Sequence, residues 1–472
     1  MEFINTLFYG YYDLLWGNLL IYMLIGLGLF FTIRSRFIQV RFFGEMIRLL
    51  GDKNMLSGEG GKGVSSLQAF FISAASRVGT GNIAGVAIAI AAGGPGAVFW
   101  MWVIALIGMA TAFVESTLAQ VYKVKDGDQF RGGPAYYMEK ALGQRWMGIL
   151  FAILITLCFG LIFNAVQANT IALAFEEAFA FNKFLMAGIL VIITALVIFG
   201  GLKRIVAATQ LIVPVMAGLY ILVALFVVIM NITQIPAIFS SIVASAFGLQ
   251  AAAGGAVGAA LMNGIKRGLF SNEAGMGSAP NAAATAHVSH PAKQGFIQSL
   301  GVFFDTILVC SATAFLILLY DLTPNAELEG IQLTQAALSE HIGSWAQVFL
   351  AVCIFLFAYS SIIGNYYYGE TNIEFLNRGK VWLYVYRFAV LIMVVFGSVS
   401  GFQLVWDLAD VFMGTMAIVN LVAIALLSGI AMKVLADYNK QRKEGLDPVF
   451  TKQSVPGLKN IESWDETASP KK

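Results

Sequence analysis

The feature that most constrains this chain is a recurrence of apolar runs, each long enough to cross a lipid bilayer. Leu14 to Ile33 passes without a charge. About twenty residues at 1.5 Å each span the roughly 30 Å of hydrocarbon in a membrane. Such runs are helical, because a helix satisfies its own backbone groups where water cannot. Only 12% of the residues are charged, against roughly 25% in soluble domains. A soluble core would not grow to 472 residues without dividing. The chain is therefore read as an all-α integral membrane protein.

Hydropathy and helix breakers place spans near 14–33, 65–92, 96–122, 146–176, 184–200 and 205–230. A second group follows near 254–286, 292–320, 344–373, 381–397 and 403–434, giving about 11 transmembrane helices. The loops alternate in charge. Of the 29 basic residues, 24 fall on one side, including Arg34, Arg36, Arg41, Arg48, Lys53 and Lys62, and the tail from Lys433. The opposite loops carry Lys183 and acidic groups such as Asp321, Glu327, Glu329 and Glu340. Basic loops stay cytoplasmic. The expected topology in the plasma (inner) membrane has the N-terminus outside and the C-terminus cytoplasmic.

Residues 36–50 mix arginines with bulky apolar groups, the pattern of an interfacial helix whose basic face meets anionic lipid headgroups. The tail after Lys440 is polar and contains Pro448, Pro456 and Pro470, so it is expected to be disordered or loosely docked. Cys158, Cys310 and Cys353 lie within apolar runs and lack metal-ligand spacing, which marks them as packed thiols.

Two spans contain sequence that a lipid-exposed helix should not. One reads Ala75-Ser76-Arg77-Val78-Gly79-Thr80-Gly81-Asn82, the other Phe270-Ser271-Asn272-Glu273-Ala274-Gly275-Met276-Gly277-Ser278. These residues favour turns and compete for backbone hydrogen bonds. Glycines also permit close helix packing, which suits Gly254, Gly255, Gly258, Ala259 and Ala260. With the first span set aside, ten remain, and each break opens a set of five. Five is odd, so the second set would insert upside down, the arrangement of inverted-repeat transporters with a midplane site. The expected organisation is 1–64 (N-terminal and interfacial helices), 65–230 and 254–436 (two repeats) and 437–472 (polar tail).

A zwitterionic amino acid needs donors for its carboxylate and acceptors for its ammonium. The half-helix starting near Asn82 presents free N–H groups and a positive dipole end. Gly79 and Gly81 admit close approach, while Thr80 and Asn82 add polar side chains. Carbonyls near Gly268 to Ser271 would receive the ammonium, and Gly277 and Ser278 would shape a small pocket. Gln167 is a further substrate candidate on a helix that also carries Asn164 and Asn169. Ser360 and Ser361 are candidates for holding Na⁺ with the backbone of Gly79, although serines in helices also bond back to carbonyls four residues earlier. The intramembrane charges Arg77, Lys266, Arg267, Glu273, Asp305 and Asp410 call for partners, with Glu273 or Asp305 opposite Arg77 as the pairing considered.

In the stretches Val78 to Val86, Asn263 to Pro280 and Phe357 to Glu370, the chain closely resembles the alanine/glycine:cation symporter family; Asn164 to Thr170 is a weaker match. The resemblance spans roughly residues 14–435. It implies the leucine-transporter-type fold of inverted five-helix repeats plus one N-terminal helix. It also implies uptake of alanine or glycine with Na⁺, or sometimes H⁺, with glutamine in some members. By motif, Thr80, Gly81 and Asn82 should meet the substrate carboxylate. Gln167, Phe270, Ser271, Gly275, Gly277 and Ser278 should complete the pocket, and Ser360 and Ser361 should lie near Na⁺.

Other classes fit less well. No repeated selectivity-filter motif suggests a channel. His287, His290 and His341 fall at a loop or outside the membrane, and no HExxH, GxSxG or Walker motif suggests an enzyme or a cofactor. Nothing indicates nucleic acid as a partner. A transporter-like nutrient sensor would keep the same binding residues, and the oligomeric state is not encoded in any feature above.

Overall fold

Apolar side chains offer the backbone no competing hydrogen-bond partner, so the long runs close into helices wherever glycine and proline do not intervene. The computed structural model describes residues 2–52, 64–248, 254–320, 328 and 330–465. Lys53, Lys62, Asp321, Glu327, Glu329 and Pro470, used above, lie outside these residues.

The chain opens with α1 (Thr6–Arg34), a turn of helix at Ile38–Arg41 and the amphipathic α2 (Phe43–Leu50). The first broken pair follows as α3 (Ser66–Arg77) and α4 (Gly81–Gly93), bent by 51°. Next come α5 (Gly96–Val121), a hairpin of β1 (Val124–Asp126) and β2 (Gln129–Arg131), and α6 (Pro134–Lys140). The segment continues through α7 (Arg145–Phe179), α8 (Lys183–Ile198), α9 (Gly201–Met230) and α10 (Ile235–Ala246). The second break separates α11 (Gly254–Asn272) from α12 (Ala279–Ala283). The remainder is α13 (Pro291–Leu318), α14 (Ile331–Ile342), α15 (Trp345–Leu376), α16 (Lys380–Val399) and α17 (Phe402–Lys443).

Eight helices among the described residues are long and apolar enough to cross a membrane, nine with the bent pair. The expected span 184–200 is the 16-residue α8, and 254–286 is interrupted between α11 and α12. Helices α10 and α14 and the hairpin were not foreseen. The hairpin does carry a signal, since Asp126-Gly127 sits at its turn with Gly127 at φ +58°.

Helix α5 packs against α11 and α13, α7 packs against α15 and α16, and α3 leans on α9 and α15. Apolar side chains of α9 and α16, among them Leu211, Leu222, Trp382 and Ile392, face outward, whereas Thr80, Asn82, Glu115, Ser271 and Asp305 are fully buried. Polar groups in lipid cost several kcal/mol unless paired, so they gather inside the bundle. The close approach of α11 to α5 uses Gly264 and Gly268; Gly258, expected at a packing face, looks onto open space. The three cysteines are free and buried.

Two peripheral features are sharpened. His290, expected at a loop, is fully buried; its Nδ1 caps α13 by accepting from Ala292 N–H at 3.2 Å, and its Nε2 lies 3.2 Å from Asp437. The tail, polar in composition, is docked up to residue 465. Phe450 donates its N–H to Ser289 O at 2.8 Å, and Trp464 Nε1 donates to Gln120 O at 3.1 Å. Four apolar side chains, Phe450, Val455, Ile461 and Trp464, suffice to anchor it because each finds a buried seat.

Candidate functional site

Three devices build the centre. In the first break, Val78 leaves the helix and Gly79 N–H is taken by Asn82 Oδ1 at 2.9 Å, so a side chain replaces the missing helical acceptor. In the second, Glu273, Gly275 and Gly277 all hold positive φ, at +59°, +91° and +80°. For glutamate that conformation costs roughly 1–2 kcal/mol, strain of the kind held at functional sites. The third device is a set of π-type turns at Gly81–Gly85, Thr156–Phe163 and Phe303–Cys310, each adjoining the breaks.

The two breaks meet directly. A Cβ on Gly81 would stand 2.8 Å from the Phe270 ring and 3.3 Å from Ser271 Cα. Thr80 N–H donates to Gln167 Oε1 at 3.1 Å, joining α7 to the first break. Asn82 Nδ2 donates to Ser271 Oγ at 3.1 Å and to Asp305 Oδ1 at 2.7 Å. Ser271 Oγ and Thr306 Oγ1 both donate to Asp305 Oδ2, at 2.6 and 2.9 Å. Phe270 is sandwiched between Phe163 and Trp406, with ring centroids 4.6 and 4.8 Å away. One turn earlier on α11, Arg267 grips Asp410 through two hydrogen bonds of 3.0 and 2.7 Å, and Lys266 joins them at 3.2 Å.

On the other flank, Ser361 Oγ donates to Ala75 O at 2.8 Å and to Phe357 O at 3.0 Å, while Ser360 Oγ donates to Phe357 O at 2.9 Å. The serines thus bond back along their own helix, and Ser361 reaches the first broken helix as well. A Cβ on Gly79 would collide with Ser361 Oγ at 2.2 Å.

Gly275, Gly277 and Ser278 form a second cluster. Gly275 and Gly277 donate their N–H groups to the two carboxylate oxygens of Glu115, each at 3.2 Å. Gly277 packs against Pro134, Phe151 and Asn420. Ser278 and Ser76 each donate to Glu273, both at 2.6 Å. Asn164 bonds back to Gly160 O on its own helix, whereas Asn169 serves helix packing by donating to Gly397 O, both at 2.9 Å. Arg77 meets neither Glu273 nor Asp305 in an ion pair; its Nη1 donates to Gln298 O at 3.2 Å.

Sequence reasoning overlooked Glu115, although a carboxylate inside span 96–122 was visible. It also passed over Phe163 and Trp406, which look like any apolar residue until Phe270 lies between them. Thr80 Oγ1 and Asn365 Nδ2 are buried without a hydrogen-bond partner among the described residues. Buried polar atoms are rarely left so, and these two adjoin the breaks.

Residues 1–452 match the sodium:alanine symporter family. The chain belongs to that family. As a sodium:alanine symporter family member, it is a multi-pass membrane protein of a transporter class. It is 66% identical over 465 residues to the amino-acid carrier protein AlsT of Bacillus subtilis, covering 98% of each chain. It is 58% identical to the probable sodium/glutamine symporter GlnT of the same organism, over 96% of this chain and 94% of that one. Its fold is similar to that of a manganese transporter from Eremococcus coleocola, with TM-score 0.51 and 14% identity over 78% of both chains.

Proposed function

We propose that the protein imports a small neutral amino acid, alanine or glycine, by symport with Na⁺ through alternating access. The observation that carries this reading is the contact of the two breaks at Gly81 and Phe270, with Asn82 bridging to Ser271 and Asp305. Broken helices meeting inside a bundle expose backbone donors and acceptors where lipid and water do not compete.

In this reading the N-terminus of α4 at Thr80, Gly81 and Asn82 receives the substrate carboxylate. Gln167, Phe270 and Ser271 line the pocket. Gly275, Gly277 and Ser278 join it only as the second cluster moves from its present bonds to Glu115 and Glu273. Ser360, Ser361 and Gly79 hold Na⁺. The bulk of Phe270, fixed between Phe163 and Trp406, favours alanine over larger substrates in this reading. Eleven crossings, paired inverted repeats at 65–230 and 254–436, an external N-terminus and a cytoplasmic tail in the plasma membrane belong to the same proposal.

The 58% identity to a probable sodium/glutamine symporter supports a second substrate reading, glutamine. Both are tested in proteoliposomes holding purified protein, with radiolabelled alanine outside and an inward Na⁺ gradient or K⁺ in its place. Uptake above equilibrium only with Na⁺ is expected, with glycine competing better than glutamine. Stronger competition by glutamine would select the second reading. No uptake by folded protein under either a Na⁺ or a proton gradient would sink the proposal.

A further inference from the structure

Three carboxylates face the breaks, and each is satisfied by neutral donors. Glu115 accepts from two backbone N–H groups and from Asn420 Nδ2 at 2.9 Å. Glu273 accepts from Ser76 and Ser278, and Asp305 from Asn82, Ser271 and Thr306. The cations of α11, Lys266 and Arg267, are committed to Asp410.

One further buried cation lies beside them. Arg77, in the last turn of α3, is 2% exposed; it follows Ser76, the donor to Glu273, and its Nη1 sits at Gly301, one turn before Asp305 on α13. Its Nε and Nη2 have no acceptor, and it makes no ion pair among the described residues. The seat is nonetheless built for it. Gly301 of α13 lies opposite, where a Cβ would stand 2.4 Å from Nη1. A buried charge without a direct partner is costly and persists where function requires it. Arg77 is also two residues from both Ala75, whose carbonyl meets Ser361, and Gly79.

From this arrangement we propose that Arg77 is a tethered counter-cation that takes the place of one transported cation, and so sets how many cations move with each substrate. The proposal rests on the symport reading. One guanidinium offsets one carboxylate charge permanently, and mobile cations must supply the remainder when the substrate site fills. Without Arg77, one more cation is needed per cycle.

The test measures charge moved per substrate, from the reversal potential of labelled substrate flux in proteoliposomes. Alanine, glycine and glutamine are the probes, and whichever accumulates is used. Arg77→Gln should raise the ratio by one elementary charge and steepen the Na⁺ dependence, while Arg77→Lys should keep the wild-type ratio. An unchanged ratio in transporting Arg77→Gln overturns the proposal and leaves the symport reading intact. If Arg77→Gln does not give folded carrier, judged by size-exclusion profile and thermal unfolding, then Arg77→Lys decides. A folded Lys variant with the wild-type ratio supports the charge role, and a misfolded one overturns it in favour of the guanidinium fork. Absence of cation-driven uptake by the wild type overturns both readings.

Discussion

Asn82 Nδ2 stands 2.7 Å from Asp305 Oδ1, tying the first broken helix to the middle of α13. The same carboxylate accepts from Ser271 at the end of α11, just before the second break, so a single side chain reads the relative position of both. Its direct donors, Asn82, Ser271 and Thr306, are all neutral, which suits a group that acts on a mobile cation. Asp305→Asn is expected to raise the Na⁺ concentration for half-maximal uptake at least tenfold, equivalent to about 1.4 kcal/mol. Uptake titrated with Na⁺ at fixed alanine checks this; an unaltered midpoint would remove Asp305 from the coupling step.

Gly81 has no room for a methyl group against Phe270 and Ser271. Gly81→Ala should cost about 1–3 kcal/mol of packing and lower alanine affinity, because the breaks must separate to admit the Cβ. Trimming the obstacle in Gly81→Ala/Phe270→Leu should recover part of the loss. Binding by isothermal calorimetry on detergent-solubilised protein would show it, and equal losses in both variants would refute the contact as the cause.

Glu115 offers two oxygens to two N–H groups of the unwound segment, and Asn420 Nδ2 braces the arrangement by also donating to Gly275 O at 2.9 Å. A glutamine keeps one acceptor and turns an NH₂ group toward the other N–H. Glu115→Gln should therefore lower stability by about 1–3 kcal/mol, the cost of a buried unpaired donor. Combining it with Asn420→Ala should cost less than the sum, since the two share one network. Thermal unfolding of the four proteins measures the coupling; strict additivity would deny it.

Burial pushes the His290 imidazole below its ordinary value of 6.5, so the folded protein holds it neutral. The unfolded chain then binds the proton more readily than the folded one. Stability from this group is present above the unfolded pKa and falls as pH drops below about 6.5. His290→Asn, which keeps a capping side chain for α13, should flatten the slope of unfolding temperature between roughly pH 7 and 5. An identical slope in the variant would assign the pH response elsewhere.

Much of the candidate site was legible because its residues are anomalous where they stand. Gly79, Gly81 and Asn82, and again Ser271 to Ser278, interrupt apolar spans that gain nothing from turn-forming chemistry unless the backbone is to be opened. Glu115 was harder to see, since α5 is an uninterrupted helix and its carboxylate acts on a loop some 160 residues further on. For a related reason, the sequence leaves open whether the tail is disordered or docked. Its four anchoring side chains are too few to shift composition away from that of a disordered segment.

Local chemistry therefore determined the membrane class, the helices and the places where two of them fail, because hydropathy and backbone preference act over a turn or a span. Tertiary structure decided which groups answer those failures. Glu115 meets Gly275 and Gly277, Asp305 meets Asn82 and Ser271, and Arg77 donates to Gln298 O without an ion pair among the described residues. Those pairings depend on helix packing across hundreds of residues, and no local preference encodes the distance between side chains so far apart in the chain.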